Sequence, residues 1–250
     1  MPQFFLAGDW AQSNQKKLLL PIDADLAHHL RVRRIGPDDM FTVFDGEGHI
    51  AVARLFGNNE PLPQIEIDHI QEDRHRELPY RVELIQGLAS GDKMDWIVEK
   101  AVETGATTIS PIECERSVVK LKNDPKRQEK RMLHWQAIAQ AACEQCDRSV
   151  IPKVTSIQHP RDAFQETGAQ LKIILSPTGT DSIHQFLNRH IPQSVAIAIG
   201  PEGGFSPEEE AIAKEAGFTA LSLGPRIVRT ETAGIVAISA VESVWNLKTN

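Results

Sequence analysis

Two glycine-rich stretches near the C-terminus hold the residues best placed to do chemistry: Gly200-Pro201-Glu202-Gly203-Gly204-Phe205 and Gly224-Pro225-Arg226-Ile227-Val228-Arg229-Thr230-Glu231. Glycine lets backbone N–H groups approach a ligand closely, and the usual beneficiary is a phosphate. Here Glu202 sets a carboxylate in the middle of the first stretch, where it would repel a phosphate. The chain also lacks G-x-x-x-x-G-K-[ST], and no G-x-G-x-x-G follows a strand. A nucleoside bearing hydroxyls and a positive charge suits such a loop better, and S-adenosylmethionine is one. The bland alternative is that these glycines only make tight turns.

Basic residues form two further clusters. His28, His29, Arg31, Arg33 and Arg34 follow one another with no acid between Leu26 and Ile35, a pattern that reads as a contact surface more readily than as a solvated helix face. Arg116, Lys120, Lys122, Lys126, Arg127, Lys130 and Arg131 have only Asp124 and Glu129 among them, which suits a track for phosphates or, again, a solvated face. Cys143 and Cys146 have C-x-x-C spacing without a second pair, so packing is favoured over redox or zinc chemistry, and no metal site is expected.

The elements that must position these residues alternate. Val195 to Ile199 is β-branched and apolar on both faces, as in a buried parallel strand. Ser206, Pro207 and Glu209 mark a helix start and Gly217 its stop. Phe218 to Leu223 reads as the next strand and Glu231 to Trp245 as a buried helix, so the two loops open at the same ends of neighbouring strands and form one crevice. Leu171 to Leu175 is a strand feeding a third loop, Ser176-Pro177-Thr178-Gly179-Thr180. Further strands at 81–86 and 107–112, with helices at 93–104, 125–146, 162–166 and 181–189, predict an α/β fold with a parallel sheet. Residues 1–72 read as a small β-rich domain, with strands at 40–44 and 49–55 around Asp45-Gly46-Glu47-Gly48, another from Pro63 to Ile70, and a helix capped by Asp23. The charged run Gln71 to Leu78 reads as a linker, and residues 73–250 as the second domain.

The chain has 250 residues, 41% of them hydrophobic, enough for a sizeable core. No apolar run is long enough for a membrane span and the N-terminus lacks signal-peptide features, so the cytoplasm is expected. The net charge of -7 does not advertise a polyanion binder, although a local basic patch can coexist with an acidic total.

IGPEGGF (199–205) followed by LGPRIVRTETA (223–233) resembles the paired cofactor-loop signatures of the RsmE family, ribosomal small-subunit RNA uridine-N3 methyltransferases of the SPOUT superfamily. HHLRVRR (28–34), EKAVETGA (99–106) and ACEQCDR (142–148) extend the resemblance over essentially the whole chain. It implies a PUA-like RNA-binding barrel, a SPOUT-type sheet with a C-terminal trefoil knot, and a homodimer whose active sites form where two knots meet. The implied partner is small-subunit (16S) ribosomal RNA or the assembled small subunit. The resemblance places Glu115-Arg116-Ser117 and Arg148 among RNA-facing residues and departs at Asp147, where the family more often has glycine. A methyltransferase acting on another RNA and a non-catalytic assembly factor are the alternatives.

Methylating uridine at N3 requires loss of the N3 proton, so positioning and charge stabilisation matter more than a strong base. Arg229 is the expected substrate-side group, the alternative being a salt bridge to Glu231 or Glu202. Glu231 could orient Arg229 or accept a proton, yet its first-turn place is also what helix electrostatics would select. The expected cofactor residues are Leu175, Ser176, Pro177, Thr178, Ile199, Gly200, Pro201, Glu202, Gly203, Gly204, Leu223, Gly224, Ile227, Arg229, Thr232 and Ala233, with Glu202 near the ligand's polar end and Thr230 a helix cap. The expected RNA contacts are Arg31, Arg33, Arg34, Arg116, Lys120 and Arg148; Arg226 is a weaker candidate than Arg229 for the substrate side, equally suited to a phosphate or to the partner subunit.

Overall fold

The computed structural model describes residues 1–13, 15, 17–56, 64–121, 123–177, 179, 181–191 and 194–249. The chain forms two compact units, Met1–Glu77 with Cys143–Ile151, and Leu78–Ala142 with Pro152–Asn250.

In the first unit, β1 (Gln3–Phe5), β2 (Lys17–Pro21), β3 (Met40–Phe44), β4 (His49–Phe56) and β5 (Gln64–Glu72) make a sheet of order β1-β3-β4-β5-β2. Pairing is antiparallel except between β1 and β3. Alternation along the strands turns Phe41, Val43, Ala51, Ala53, Ile65 and Ile67 inward, onto Trp10 and onto Leu26 and Leu30 of α1 (Ala24–Val32). The expected strand start at Pro63 lies outside the described residues.

The expected boundary at residue 72 needs correction. The supposed linker is hydrogen-bonded into the first unit, which also claims Cys143–Ile151. Gln3 Nε2 donates to the Arg148 carbonyl at 2.8 Å, Phe5 N to Glu144 Oε1 at 3.1 Å, Ile151 N to the Gly46 carbonyl at 2.9 Å, and Ser149 Oγ to the Asp73 carbonyl. Composition cannot show this, because a polar run looks the same in solvent or bonded to a segment 76 residues away.

The second unit is a parallel sheet of order β10-β12-β9-β11-β6-β7-β8, made of β6 (Arg81–Gly87), β7 (Thr108–Ile112), β8 (Lys153–Val154), β9 (Leu171–Leu175), β10 (Asp181–Ser182), β11 (Ser194–Ile199) and β12 (Thr219–Ser222). Every residue of β11 is buried, as its unbroken apolar run predicts for a strand covered on both faces. Helices α2 (Lys93–Glu103), α3 (Pro125–Cys146), α4 (Pro160–Glu166), α5 (Ile183–Asn188), α6 (Pro207–Glu215) and α7 (Thr230–Thr249) complete it. The helix expected at 181–189 instead begins after a two-residue strand. Phe164, Phe205, Ile212 and Phe218 pack on one side of the sheet with Ile85, Ala196 and Ala198. On α7, Trp245 is fully buried with its ring 4.9 Å from Tyr80. Each such large side chain contributes about 1.5–3 kcal/mol. Among the described residues no helix is long and apolar enough to cross a membrane.

Candidate functional site

The loops after β9, β11 and β12 leave the same end of the parallel sheet and enclose a cavity of about 720 Å³. Leu175, Ser176, Pro177, Ile199, Gly200, Pro201, Glu202, Gly203, Gly204, Leu223, Gly224, Ile227, Arg229 and Ala233 line it. Thr178, expected with them, lies outside the described residues, as do Thr180 and Lys122. Thr232 is not part of the wall; its amide closes the first turn of α7 onto the Arg229 carbonyl at 3.0 Å.

The first loop is held on every side. Gly200 approaches the backbone of Gly204 so closely that a Cβ would lie 2.9 Å from the Gly204 carbonyl carbon, and Gly204 itself has φ +69° with open space where a side chain would point. Downstream, Ser206 and Glu209 cap α6 reciprocally, and the second oxygen of Glu209 accepts the Glu115 amide at 2.8 Å. Arg116 Nη1 donates to the carbonyls of Gly203 and Phe205 at 3.1 and 3.0 Å. Lys120 Nζ donates to the carbonyls of Cys114 and Glu115 at 2.8 and 2.9 Å. Both cations were expected on RNA; although exposed, they spend donors on the backbone that shapes the loop.

Glu202 also departs from expectation. Its Oε1 accepts Ser90 N at 3.0 Å, Ser90 Oγ at 2.6 Å and Lys93 Nζ at 2.8 Å. Burial alone would push this carboxyl up, but the hydrogen bonds from Lys93 and Ser90 prevail and hold it at about 2. It lines the cavity as an ionised strut between the β6 and β11 loops, its charge offset by Lys93.

At the N-terminus of α7, the Arg229 side chain is 83% exposed and its Nη1 lies 3.9 Å from Glu231 Oε1. The other Glu231 oxygen is buried and has no partner among the described residues. A carboxylate oxygen kept from water without a donor is costly, so the site asks for one. Thr230, expected only as a cap, instead donates its hydroxyl to the Gly200 carbonyl at 2.6 Å. Sequence reasoning missed Gln86, Gly87, Ser90, Lys93 and Glu210. Gly87 had a signal, a glycine ending a strand where another backbone comes close, whereas a buried glutamine in an apolar strand has none.

In the first unit α1 is capped by Asp23, whose Oδ1 accepts Leu26 N at 2.8 Å. Its C-terminus turns through Arg34 at φ 58°. Arg31, Arg33 and Arg34 are exposed, with no salt bridge to a described residue. Arg148 is the reverse: only 3% exposed, it sets Nε and Nη2 3.1 and 2.6 Å from Glu77 Oε2. Its expected role on RNA is therefore corrected to a buried ion pair. Asp147, just before it, has φ 58° and lets Arg148 N reach the Cys143 carbonyl at 3.1 Å, a turn in which glycine is unstrained. Burial pushes the Cys143 thiol up to about 12, which leaves it inert packing. In the second unit Arg127, Lys130, Arg131 and His134 border a shallow recess on α3.

Comparison with known proteins agrees with this arrangement. Residues 76–242 match the RNA methyltransferase domain family and residues 22–68 the RNA methyltransferase PUA domain family. The ribosomal RNA small subunit methyltransferase E of Bacillus subtilis is 33% identical over 230 residues, 88% of each chain. A crystal structure of ribosomal RNA small subunit methyltransferase E from Neisseria gonorrhoeae bound to S-adenosyl methionine superposes with TM-score 0.88 at 35% identity, covering 98% of both chains. A structure from Legionella pneumophila, in complex with the same cofactor, gives TM-score 0.88 at 32% identity over 97% of both chains. With a crevice built from three strand-end loops and this likeness along nearly its whole length, the chain belongs to the ribosomal RNA small subunit methyltransferase E family.

Proposed function

We propose that the protein transfers a methyl group from S-adenosylmethionine to N3 of a uridine in small-subunit ribosomal RNA. The observation that carries this reading is the cavity at the ends of β9, β11 and β12 with Arg229 and Glu231 on its wall. The residues present fit the cofactor. Leu175, Ile199, Leu223 and Ala233 offer apolar walls for adenine, Gly200 and Gly204 expose backbone, and Glu210 and Glu231 supply the negative field a sulfonium requires. The cofactor, when bound, supplies an electrophilic methyl carbon.

The exposed guanidinium of Arg229 faces a carbonyl of the incoming uracil and stabilises the charge that develops as N3 loses its proton. The carboxylate of Glu231, which lines the cavity, takes that proton. Arg31, Arg33 and Arg34 grip the RNA backbone. We propose further that the C-terminal segment threads a trefoil knot, a reading that rests on the family to which the chain belongs. A homodimer, supported by the 86% exposure of Ile227 beside the cavity, would complete the site, and a ribosomal substrate supports a cytoplasmic location.

Replacing Arg229 by alanine tests the chemistry. Single-turnover methylation should fall about 100-fold to 1000-fold while cofactor affinity holds. Arg229→Lys should recover little, because a point charge does not reproduce the planar fork. Raising the pH should partly rescue the alanine variant, since hydroxide ionises N3 unaided. A rate within about threefold of wild type would leave Arg229 without a catalytic role. Absence of any calorimetric heat with S-adenosylmethionine would favour an assembly factor instead.

A further inference from the structure

Gln86 is completely buried near the end of β6, in a strand whose other inward positions are apolar. Its Nε2 donates to the Gly87 carbonyl and to Thr230 Oγ1, both at 2.9 Å. The Thr230 hydroxyl in turn donates to the Gly200 carbonyl at 2.6 Å. The direction of this relay is fixed by chemistry. Both ends are carbonyls that can only accept, so the threonine proton must go to Gly200 and the amide N–H groups to Gly87 and Thr230. A flipped amide would set oxygen against oxygen. The cost of this orientation is visible, since Gln86 Oε1 is left buried without a partner among the described residues. A leucine or methionine would fill the same space without an orphaned amide oxygen, so packing alone does not account for a glutamine here.

What the amide does is tie three segments at one point: the end of β6, the loop after β11 and the first turn of α7. Two of these carry walls of the cavity, and the third abuts them, because Gly87 meets Pro201 with no room for a Cβ. We infer that Gln86 is a positioning residue for the cofactor loop, acting through Thr230 to hold the Gly200 carbonyl, and hence the Gly200–Gly204 turn, in the ligand-binding shape. The inference rests on the reading of this cavity as the S-adenosylmethionine site.

The test is a double-mutant cycle on the full-length protein with Gln86→Met, Thr230→Val and both together, plus Thr230→Ser. Affinity for S-adenosylmethionine is measured by calorimetry and the urea midpoint in parallel. Gln86→Met and Thr230→Val should each weaken binding about 10-fold, the pair no further than about 10-fold, and Thr230→Ser less than about threefold, because the serine hydroxyl completes the relay. RNA affinity should be unchanged throughout. Additive losses in the double variant, or wild-type affinity in a folded Gln86→Met protein, would overturn the proposal. Amide exchange over residues 200–204 without ligand gives an independent reading, with faster exchange expected in Gln86→Met and unchanged exchange counting against the relay. If the wild type itself bound no S-adenosylmethionine, the cofactor reading would fall and exchange alone would decide for or against Gln86.

Discussion

Replacing Gly87 by alanine should damage both stability and ligand binding, although the change only adds one methyl group. A Cβ on Gly87 would lie 2.5 Å from Pro201 N, 2.6 Å from Pro201 Cδ and 2.9 Å from the Gly200 carbonyl carbon. Ordinary van der Waals separation begins near 3.4 Å, so these backbone and ring atoms would have to retreat by about 0.5–0.9 Å. No rotamer relieves the clash, because nothing in it is the end of a flexible side chain. Overpacking of this kind costs about 1–3 kcal/mol. At about 2–4 °C per kcal/mol for a unit of this size, the melting temperature should drop by roughly 2–12 °C. Ligand linkage provides a second readout. S-adenosylmethionine at 100 times its Kd should stabilise the wild type by about 2.7 kcal/mol, and a tenfold loss of affinity would remove about half of that. The assay is calorimetric melting with and without the cofactor at matched concentration. Gly204→Ala is the contrast, since its Cβ meets nothing and only the positive φ opposes it, at about 1–2 kcal/mol. A Gly87→Ala protein with wild-type melting and wild-type ligand shift would refute the close approach of the β6 end to the Gly200–Pro201 backbone.

Three further outcomes are expected. Arg148→Met should cost about 3–5 kcal/mol in chemical denaturation by stranding Glu77, and adding Glu77→Leu should restore most of it; weaker RNA binding at unchanged stability would return Arg148 to the RNA surface. Replacing Arg31, Arg33 and Arg34 together should lower the salt slope of RNA binding by about 2, at about 0.7 for each phosphate no longer neutralised, so an unchanged slope would mark the patch as merely solvated. For Glu202, the folded carboxyl at about 2 lies below its ordinary value, so its contribution is present above about pH 4.5 and fades as the pH falls towards 2. Wild type should therefore exceed Glu202→Gln by about 1 kcal/mol at pH 6, after discounting for solvent access, and the gap should shrink to roughly half or less by pH 3 and close only below about pH 2; a gap independent of pH would show that Lys93 and Ser90 do not hold the charge.

The sequence by itself determined the parallel sheet, most of the strands and helices in the second unit, and the loops that meet at the cavity, but not that β9 lies between β11 and β12, which were expected as neighbours. These rest on local signals: an unbroken apolar run for β11, the Ser206–Glu209 cap of α6, and glycines at strand ends. It also brought forward Arg229 and Glu231, whose neighbouring positions at a helix start are a local fact. Tertiary structure alone decided how charges far apart in the chain are used. Arg116, Lys120 and Arg148 look alike in sequence, yet the first two bind carbonyls around the loops and the third is buried against Glu77, 71 residues away. Short strands such as β8 and β10 exist because a neighbour offers unpaired backbone, a condition two residues cannot announce. Gln86 was hidden for the same reason: whether a buried amide is a misfit or a strut depends on which carbonyls and hydroxyls the fold delivers to it, and those come from Gly87, Thr230 and, through Thr230, Gly200.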